Sequence, residues 1–171
     1  MNPQDKLNVN LLEEDDDEEM EDTQEGKFLT FILLEEEYGI EIRYVTEIIG
    51  IQSITEVPDM PAFVKGVINL RGKIIPVMDV RKRFGSDERA YDNRTCIIVI
   101  NIGSQAMGLI VDRVSEVLDI PENHIEPTPD LKRKKGNRFI KGMGKVGDKV
   151  KLLLDSERLI YDDNDENFLQ D

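Results

Sequence analysis

The chain has 171 residues and a formal net charge of −14, enough length for one ordinary domain or two very small ones that share a core. No apolar stretch approaches the ~20 residues of a membrane-spanning helix, and residues 1–6 offer neither the basic nor the apolar segment of a secretory signal. These features exclude a spanning protein of the helical kind and lead us to expect a cytoplasmic one. The charge itself is unevenly placed: residues 1–26 carry eleven acids and one lysine, residues 162–171 carry five acids and no base, and the body between has twenty acids against twenty-one bases. An acidic tail at residues 1–26, expected to be disordered because its few large apolar residues cannot offset the entropy of ordering, and a second acidic tail at 162–171 therefore flank a nearly neutral body at residues 27–161.

In chain order, residues 28–34 form the first apolar, β-branched and aromatic run and read as a strand, and Gly39 opens a second. Residues 43–49 place Val45, Ile48 and Ile49 at helical spacing and predict a single helical turn, followed by an extended segment that ends at Pro58. Arg71-Gly72 turns residues 67–70 into 74–77 as a hairpin, and Asp79 is placed to cap a short amphipathic turn over residues 80–84. The order then begins again. Residues 95–102 are a strand, Gly103 to Gln105 a hairpin turn, and Gly108 opens the next strand. Residues 112–118 predict another helical turn with Asp112 as its N-cap, leading to Pro127. After the polar, basic loop at 132–138, Gly147-Asp148 turns a second late hairpin and Asp155 caps residues 156–160.

This succession is an internal repeat. Residues 38–51 align without a gap on 107–120, Val64-Lys65-Gly66-Val67 aligns on Ile140-Lys141-Gly142-Met143, and the second match continues to Asp79 and Asp155. The difference in offset between the two blocks places an insertion at the basic loop. Five or so short strands per copy predict a mainly β protein of two small pseudo-symmetric barrels with short helices, the copies falling at roughly 27–90 and 91–161 and interleaved.

Three patterns that elsewhere carry chemistry have the wrong setting. Residues 142–147 fit G-x-G-x-x-G, but a strand-like run follows where nucleotide binding needs a helix N-terminus. His124 is the only histidine, and Cys96 the only cysteine, within an apolar run, so no histidine relay, cysteine cluster or disulfide can be assembled. The basic loop has no aromatic residues interleaved for stacking on bases, which points away from nucleic acid. We expect no enzyme activity, no cofactor and no metal.

The stretch from Phe63 through Asn69-Leu70-Arg71-Gly72 to Arg81 resembles the hallmark segment of the CheW family; Glu37 to Ile42 with Val45, Glu47, Pro58 and Pro61 resembles the family's opening, and residues 95–118 its second half. The acidic extension at 1–26 and the basic loop lie outside the shared pattern. The resemblance implies two five-stranded SH3-like barrels. It also implies an adaptor in the cytoplasm at receptor arrays, binding the regulatory domain of the histidine kinase CheA and the cytoplasmic tip of chemoreceptors. It carries Val45, Glu47, Gly66, Arg71, Gly108 and Val117 to receptor binding, in a groove between the barrels, and Ile51, Ile54 and Ile74 to kinase binding on the first barrel. Glu47 and Arg71 are expected to pair, since the second copy has Glu116 but only Gly147 opposite. A CheV-like protein or a CheA regulatory domain would carry further domains, for which residues 162–171 are too short; a protein-binding β module unrelated to chemotaxis is the other reading. The acidic tail is expected to be dispensable or, alternatively, to mask the basic loop.

Overall fold

The structure, a computed structural model, describes residues 24–128 and 137–162. Both accounts of the acidic tail, and most of the basic loop, lie outside these residues. Among the described residues eleven strands form two antiparallel-rich sheets, accompanied by two short helices. In chain order these are β1 (Lys27–Leu33), β2 (Glu36–Glu41), β3 (Val45–Gly50), β4 (Val64–Leu70), β5 (Lys73–Asp79) and α1 (Val80–Arg83). The second copy supplies β6 (Cys96–Ile102), β7 (Gln105–Val111), β8 (Arg113–Asp119), β9 (Ile125–Glu126), β10 (Ile140–Val146), β11 (Lys149–Leu154) and α2 (Ser156–Tyr161).

The sheets do not coincide with the copies. One has the order β8-β1-β2-β11-β10-β9 and the other β3-β6-β7-β5-β4, so each copy's N-terminal hairpin joins the sheet built by the other copy's remaining strands. Two parallel contacts make the exchange: Val77 of β5 lies beside Gly108 of β7, and Leu153 of β11 beside Gly39 of β2. These are equivalent positions in the repeat. Glycine is needed at both, because a Cβ would meet Val77 and Ile97 at 2.8 Å from Gly108, and Leu153 at 2.9 Å from Gly39.

The helical turns predicted at 43–49 and 112–118 are instead the strands β3 and β8; only Ile42–Tyr44 forms a 3-10 turn. Over so short a run the spacing of Val45, Ile48 and Ile49 fits either period, and the β-branched content decides for the strand once β6 offers a full partner, from Val45↔Ile100 to Gly50↔Cys96. Asp112 caps no helix; it accepts from the Leu34 amide and from Arg81. Asp79 and Asp155 do cap, accepting from the amides of Arg81 and Arg158. Both hairpin turns stand as expected. Arg71 and Gly72 each take a positive φ, as a tight two-residue hairpin requires, and Asn69 Oδ1 accepts from the Gly72 amide at 2.8 Å.

The largest core lies between the sheets. Leu29, Phe31, Leu33, Tyr38 and Ile40 from one meet Met78, Ile98, Ile100, Leu109 and Val111 from the other, while alternate residues such as Ile97, Val99 and Val77 fill the interior of their own barrel. Rings run across the junction from Phe31 to Tyr38, Phe84 and Phe139, with centroids 5.4–5.8 Å apart. Buried Arg83 lies over Phe63 and Phe139 and donates to the carbonyls of Leu159 and Asp162, docking α2 onto the first copy.

Gly66 lets the connection from β3 pack onto the edge strand β4 of a sheet that stays open between β3 and β4. It has φ +149°, and a Cβ there would stand 2.1 Å from the Thr55 carbonyl oxygen, where residue 55 bonds β4 through two backbone hydrogen bonds of 2.9 Å to Val67. Gly72 has positive φ but open space around it. Gly66→Ala should therefore lose ~3 kcal/mol or more of unfolding free energy in urea, and Gly72→Ala only ~1 kcal/mol, the left-handed cost alone.

Candidate protein-binding surfaces

Among the described residues no set of three histidine, cysteine, aspartate or glutamate side chains could hold a metal ion, and no helix is long and apolar enough to cross a membrane. The glycine motif lies on β10 and its turn, where Gly142 and Gly144 are buried against Ile125 and Ile120; close packing accounts for them. His124 is exposed at the end of a 3-10 turn.

What the surface does offer is apolar side chains in equivalent pairs. Ile48 on β3 is 43% exposed and its counterpart Val117 on β8 52%; Ile74 on β5 is 60% exposed and its counterpart Val150 on β11 50%. Val57 and Met60 extend the apolar set in the connection from β3 to β4. Strand alternation produces this: Val45, Glu47 and Ile49 turn inward on β3, so Thr46, Ile48 and Gly50 turn out.

The two copies differ in the charge beside these residues. At the tip of the β4–β5 hairpin Arg71 donates to Glu47 of β3, an ion pair whose arginine is largely exposed. The expected pair is thus formed, and it joins the edge strand β3 to the hairpin from the opposite edge of the same sheet. The counterpart positions hold Glu116 and Gly147.

Of the residues proposed from sequence, Val45, Glu47, Gly66, Arg71 and Gly108 all lie in the sheet that contains β3, whereas Val117 lies on the other. Their exposure is unequal. Gly66 and Gly108 are buried and act through packing, Val45 is half-buried against the shared core, and Glu47 is half-buried beside its arginine, leaving Arg71 and Val117 to face solvent. Ile51 and Ile54 are half-buried over their barrel's own interior, while Ile74 projects from the surface. Ile48, Val57, Met60 and Val150 were not anticipated; the repeat pairs Ile48 with Val117 and Ile74 with Val150, and reading β3 as a strand would have turned Ile48 outward.

Where the chain crosses between sheets, Asp112 is held by Arg81 through bonds of 2.9 and 2.8 Å and by the Leu34 amide at 3.2 Å. Nearby, the Tyr91 hydroxyl donates to buried Asp79 at 2.7 Å, and burial together with that carboxylate pushes the hydroxyl well up.

These features define a β scaffold whose distinctive chemistry is on its surface. The family model for the CheW-like domain matches residues 27–164, and the chain belongs to that family. It is 40% identical over 134 residues to the chemotaxis protein CheW of Klebsiella aerogenes, covering 78% of this chain and 81% of the relative. The corresponding Treponema pallidum protein is 31% identical over 137 residues, with the same coverage. Among solved structures, the scaffolding protein TtCheW from Thermoanaerobacter tengcongensis superposes with a TM-score of 0.72 at 43% identity, covering 78% of this chain and 91% of that one.

Burial pushes the Asp112 carboxyl up, but hydrogen bonds from Arg81 and the Leu34 amide, with the charges of Arg81 and Arg89, outweigh it and hold the group below the ordinary carboxylate range. A depressed folded-state pKa gives stability that is present above the unfolded value of ~3.9 and lost as pH falls through the folded value. Asp112→Asn should cost about 2 kcal/mol at neutral pH, and denaturation curves of variant and wild type should converge below the ordinary carboxylate range.

Proposed function

We propose that this protein is a chemotaxis adaptor that couples chemoreceptors to the histidine kinase CheA, holding the regulatory domain of the kinase and the cytoplasmic tip of the receptor at receptor arrays on the inner face of the membrane. It works by binding rather than by catalysis. The observation that carries this reading is the surface of the β3 sheet: an exposed arginine at a hairpin tip, held by Glu47, with exposed Ile74 on the strand that follows it, in a chain of the CheW family. A central arginine and aliphatic anchors beside polar groups are the ingredients of a protein contact that neither area nor charge alone supplies.

On this reading the receptor contact uses Val45, Glu47, Gly66, Arg71, Gly108 and Val117, with the two glycines and Val45 shaping the surface from beneath and Arg71 meeting the partner. The kinase contact uses Ile74 directly, with Ile51 and Ile54 supporting it. Because Val45 also packs on the core, a charged residue there would confuse binding with stability, and Arg71 is the cleaner probe.

Arg71→Glu should weaken binding of a receptor-tip fragment by about tenfold or more, through lost contact and repulsion from Glu47, while unfolding free energy changes by no more than ~1 kcal/mol, as befits an exposed ion pair. Ile74→Glu should weaken binding of the CheA regulatory domain to a similar degree and leave the receptor fragment's affinity unchanged. Titrations of both variants against both fragments test this. Undiminished affinity of Arg71→Glu for the receptor fragment would refute the receptor assignment, and failure of the wild type to bind either fragment would refute the adaptor reading.

A further inference from the structure

Where the second copy's chain crosses between the sheets, a cleft of about 220 Å³ opens between the β1–β2 turn and the segment leading into β6. Its polar lining is Glu35, Arg89, Asp92, Arg94, Asp112 and Arg113. Two of its acids are spent on the scaffold. Asp112 holds Arg81 and the Leu34 amide, with Arg89 3.6 Å from the same carboxylate. Asp92 accepts from the Arg94 amide and the Thr95 hydroxyl and lies 3.6 Å from Arg89. Arg89 thus braces these two acids. The other two arginines are exposed, and among the described residues neither the Arg94 nor the Arg113 guanidinium makes an ion pair or a hydrogen bond.

The scaffold does not ask for these arginines. In the repeat, Arg94, Asp112 and Arg113 correspond to Glu25, Arg43 and Tyr44, which line an equivalent cleft beside β1. There the chain satisfies itself: Arg43 donates to Glu41 at 2.9 Å and lies over the Tyr44 ring at 4.8 Å. The same crossing is self-neutralised in one copy and leaves two unspent guanidinium groups in the other. A guanidinium is a planar fork of donors that matches an oxyanion.

Three features narrow the anion. The cleft is smaller than the ~300–1,000 Å³ of pockets that enclose a whole small molecule, so it takes one group of a ligand whose remainder lies outside. The carboxylates of Glu35, Asp92 and Asp112 around it oppose a second negative charge, which favours a carboxylate over a phosphate dianion. Arg113 also shares the edge strand β8 with exposed Val117, four residues on, a span of ~13 Å at ~3.3 Å per residue that a polypeptide covers easily. We propose that Arg94 and Arg113 form a subsite for a carboxylate side chain of an acidic segment in a partner protein, the rest of the segment running along β8 past Val117. Only the source of the carboxylate, a partner protein, rests on the adaptor reading; the chemistry of the cleft does not.

The probe is a blocked pentapeptide of alternating glycine and glutamate. Titrated into the full-length protein at about 0.1 M salt, where exposed charges beyond ~10 Å are screened, it should move the side-chain NMR signals of Arg94 and Arg113. Arg94→Gln with Arg113→Gln should weaken its binding about tenfold or more, with unfolding free energy unchanged because neither side chain has a bond to lose. Arg94→Lys with Arg113→Lys keeps the charge without the fork and should weaken it about threefold, while Glu35→Gln, which removes a repelling acid, should tighten it about twofold. Lys73→Gln with Lys149→Gln removes the same charge from exposed positions elsewhere and should change nothing. Of the receptor-tip fragment and the CheA regulatory domain, at least one should bind the double glutamine variant about threefold more weakly. The proposal is overturned if that variant binds the peptide, or both fragments, as the wild type does. It is overturned equally if the Lys73 and Lys149 changes cost as much, or if inorganic phosphate moves the same signals at lower concentration than the peptide. A wild type that binds neither fragment would sink the adaptor reading instead, and the peptide titration would still decide the cleft.

Discussion

Two strand contacts, Val77 against Gly108 and Leu153 against Gly39, carry the connection between the halves of this molecule. Each is a parallel pairing between a strand of one copy and a hairpin of the other, and each requires that a side chain of one strand occupy the space a Cβ would fill on its neighbour. Parallel strands cannot be joined by a tight turn, and the exchange of hairpins supplies the long connection they need. Once the hairpins are exchanged, neither sheet is complete without the other copy. The inner faces of both are then brought together over one apolar layer, which two barrels of this size could not each provide alone.

The same exchange explains how much could be read from residues alone. The repeat was visible because the packing positions recur: glycine at 39 and 108 and at 66 and 142, aspartate caps at 79 and 155, and hairpin turns at 72 and 147. Each answers to a local backbone requirement that leaves a mark on residue type. What did not show was the assignment of residues 43–49 and 112–118. Their strand character comes from partners far along the chain, β6 for one and β1 for the other, and aliphatic residues spaced as Val45, Ile48 and Ile49 are in so short a stretch satisfy a helical face as readily as a pleated one. The misreading had a consequence at the surface, since a helical turn groups Val45 with Ile48 and Ile49, while the strand separates inward Val45 from outward Ile48. The expected Glu47–Arg71 pair forms all the same, from a strand and not from the helical turn on which Glu47 was placed, and the asymmetry between copies that also pointed to it does not depend on the type of element.

Symmetry of the scaffold and asymmetry of its surface have different origins and different uses. Positions that make close backbone packing or turns are kept alike in both copies. Positions free of that duty diverge: Arg71 against Gly147, Glu37 and Lys151 against Ala106 and Ile75. The last set shows how loosely chemistry is tied to the fold. Lys151 is buried and paired with Glu37 across the β11–β2 contact, whereas the equivalent place in the other sheet is filled by aliphatic groups, Ile75 being buried there. One architecture thus accepts an ion pair or an apolar contact at the same point, consistent with the near balance between desolvation and attraction in buried pairs. A duplicated scaffold of this kind presents two faces of similar shape whose chemistry can be altered independently, which suits a protein proposed to hold two different partners.

Holding two partners is useful for signalling only if the faces keep a fixed relation. Here the chain crosses between sheets twice, through the 3-10 turn Ile42–Tyr44 and through Asp112. The second crossing is clamped by Arg81 of α1 in one sheet and by the Leu34 amide beside β1 in the other. Beneath it the rings of Phe31, Tyr38, Phe84 and Phe139 stack across the junction, and Arg83 bonds the end of α2 to the first copy. A close-packed interior has few alternative arrangements and transmits displacement without absorbing it. Movement of a partner on one face must therefore displace the other face as a body or separate the sheets, and separation would expose the whole shared core. The second course is far the more costly, so the adaptor proposed here acts as a rigid bracket, and any adjustment between kinase and receptor must occur at the two contact surfaces.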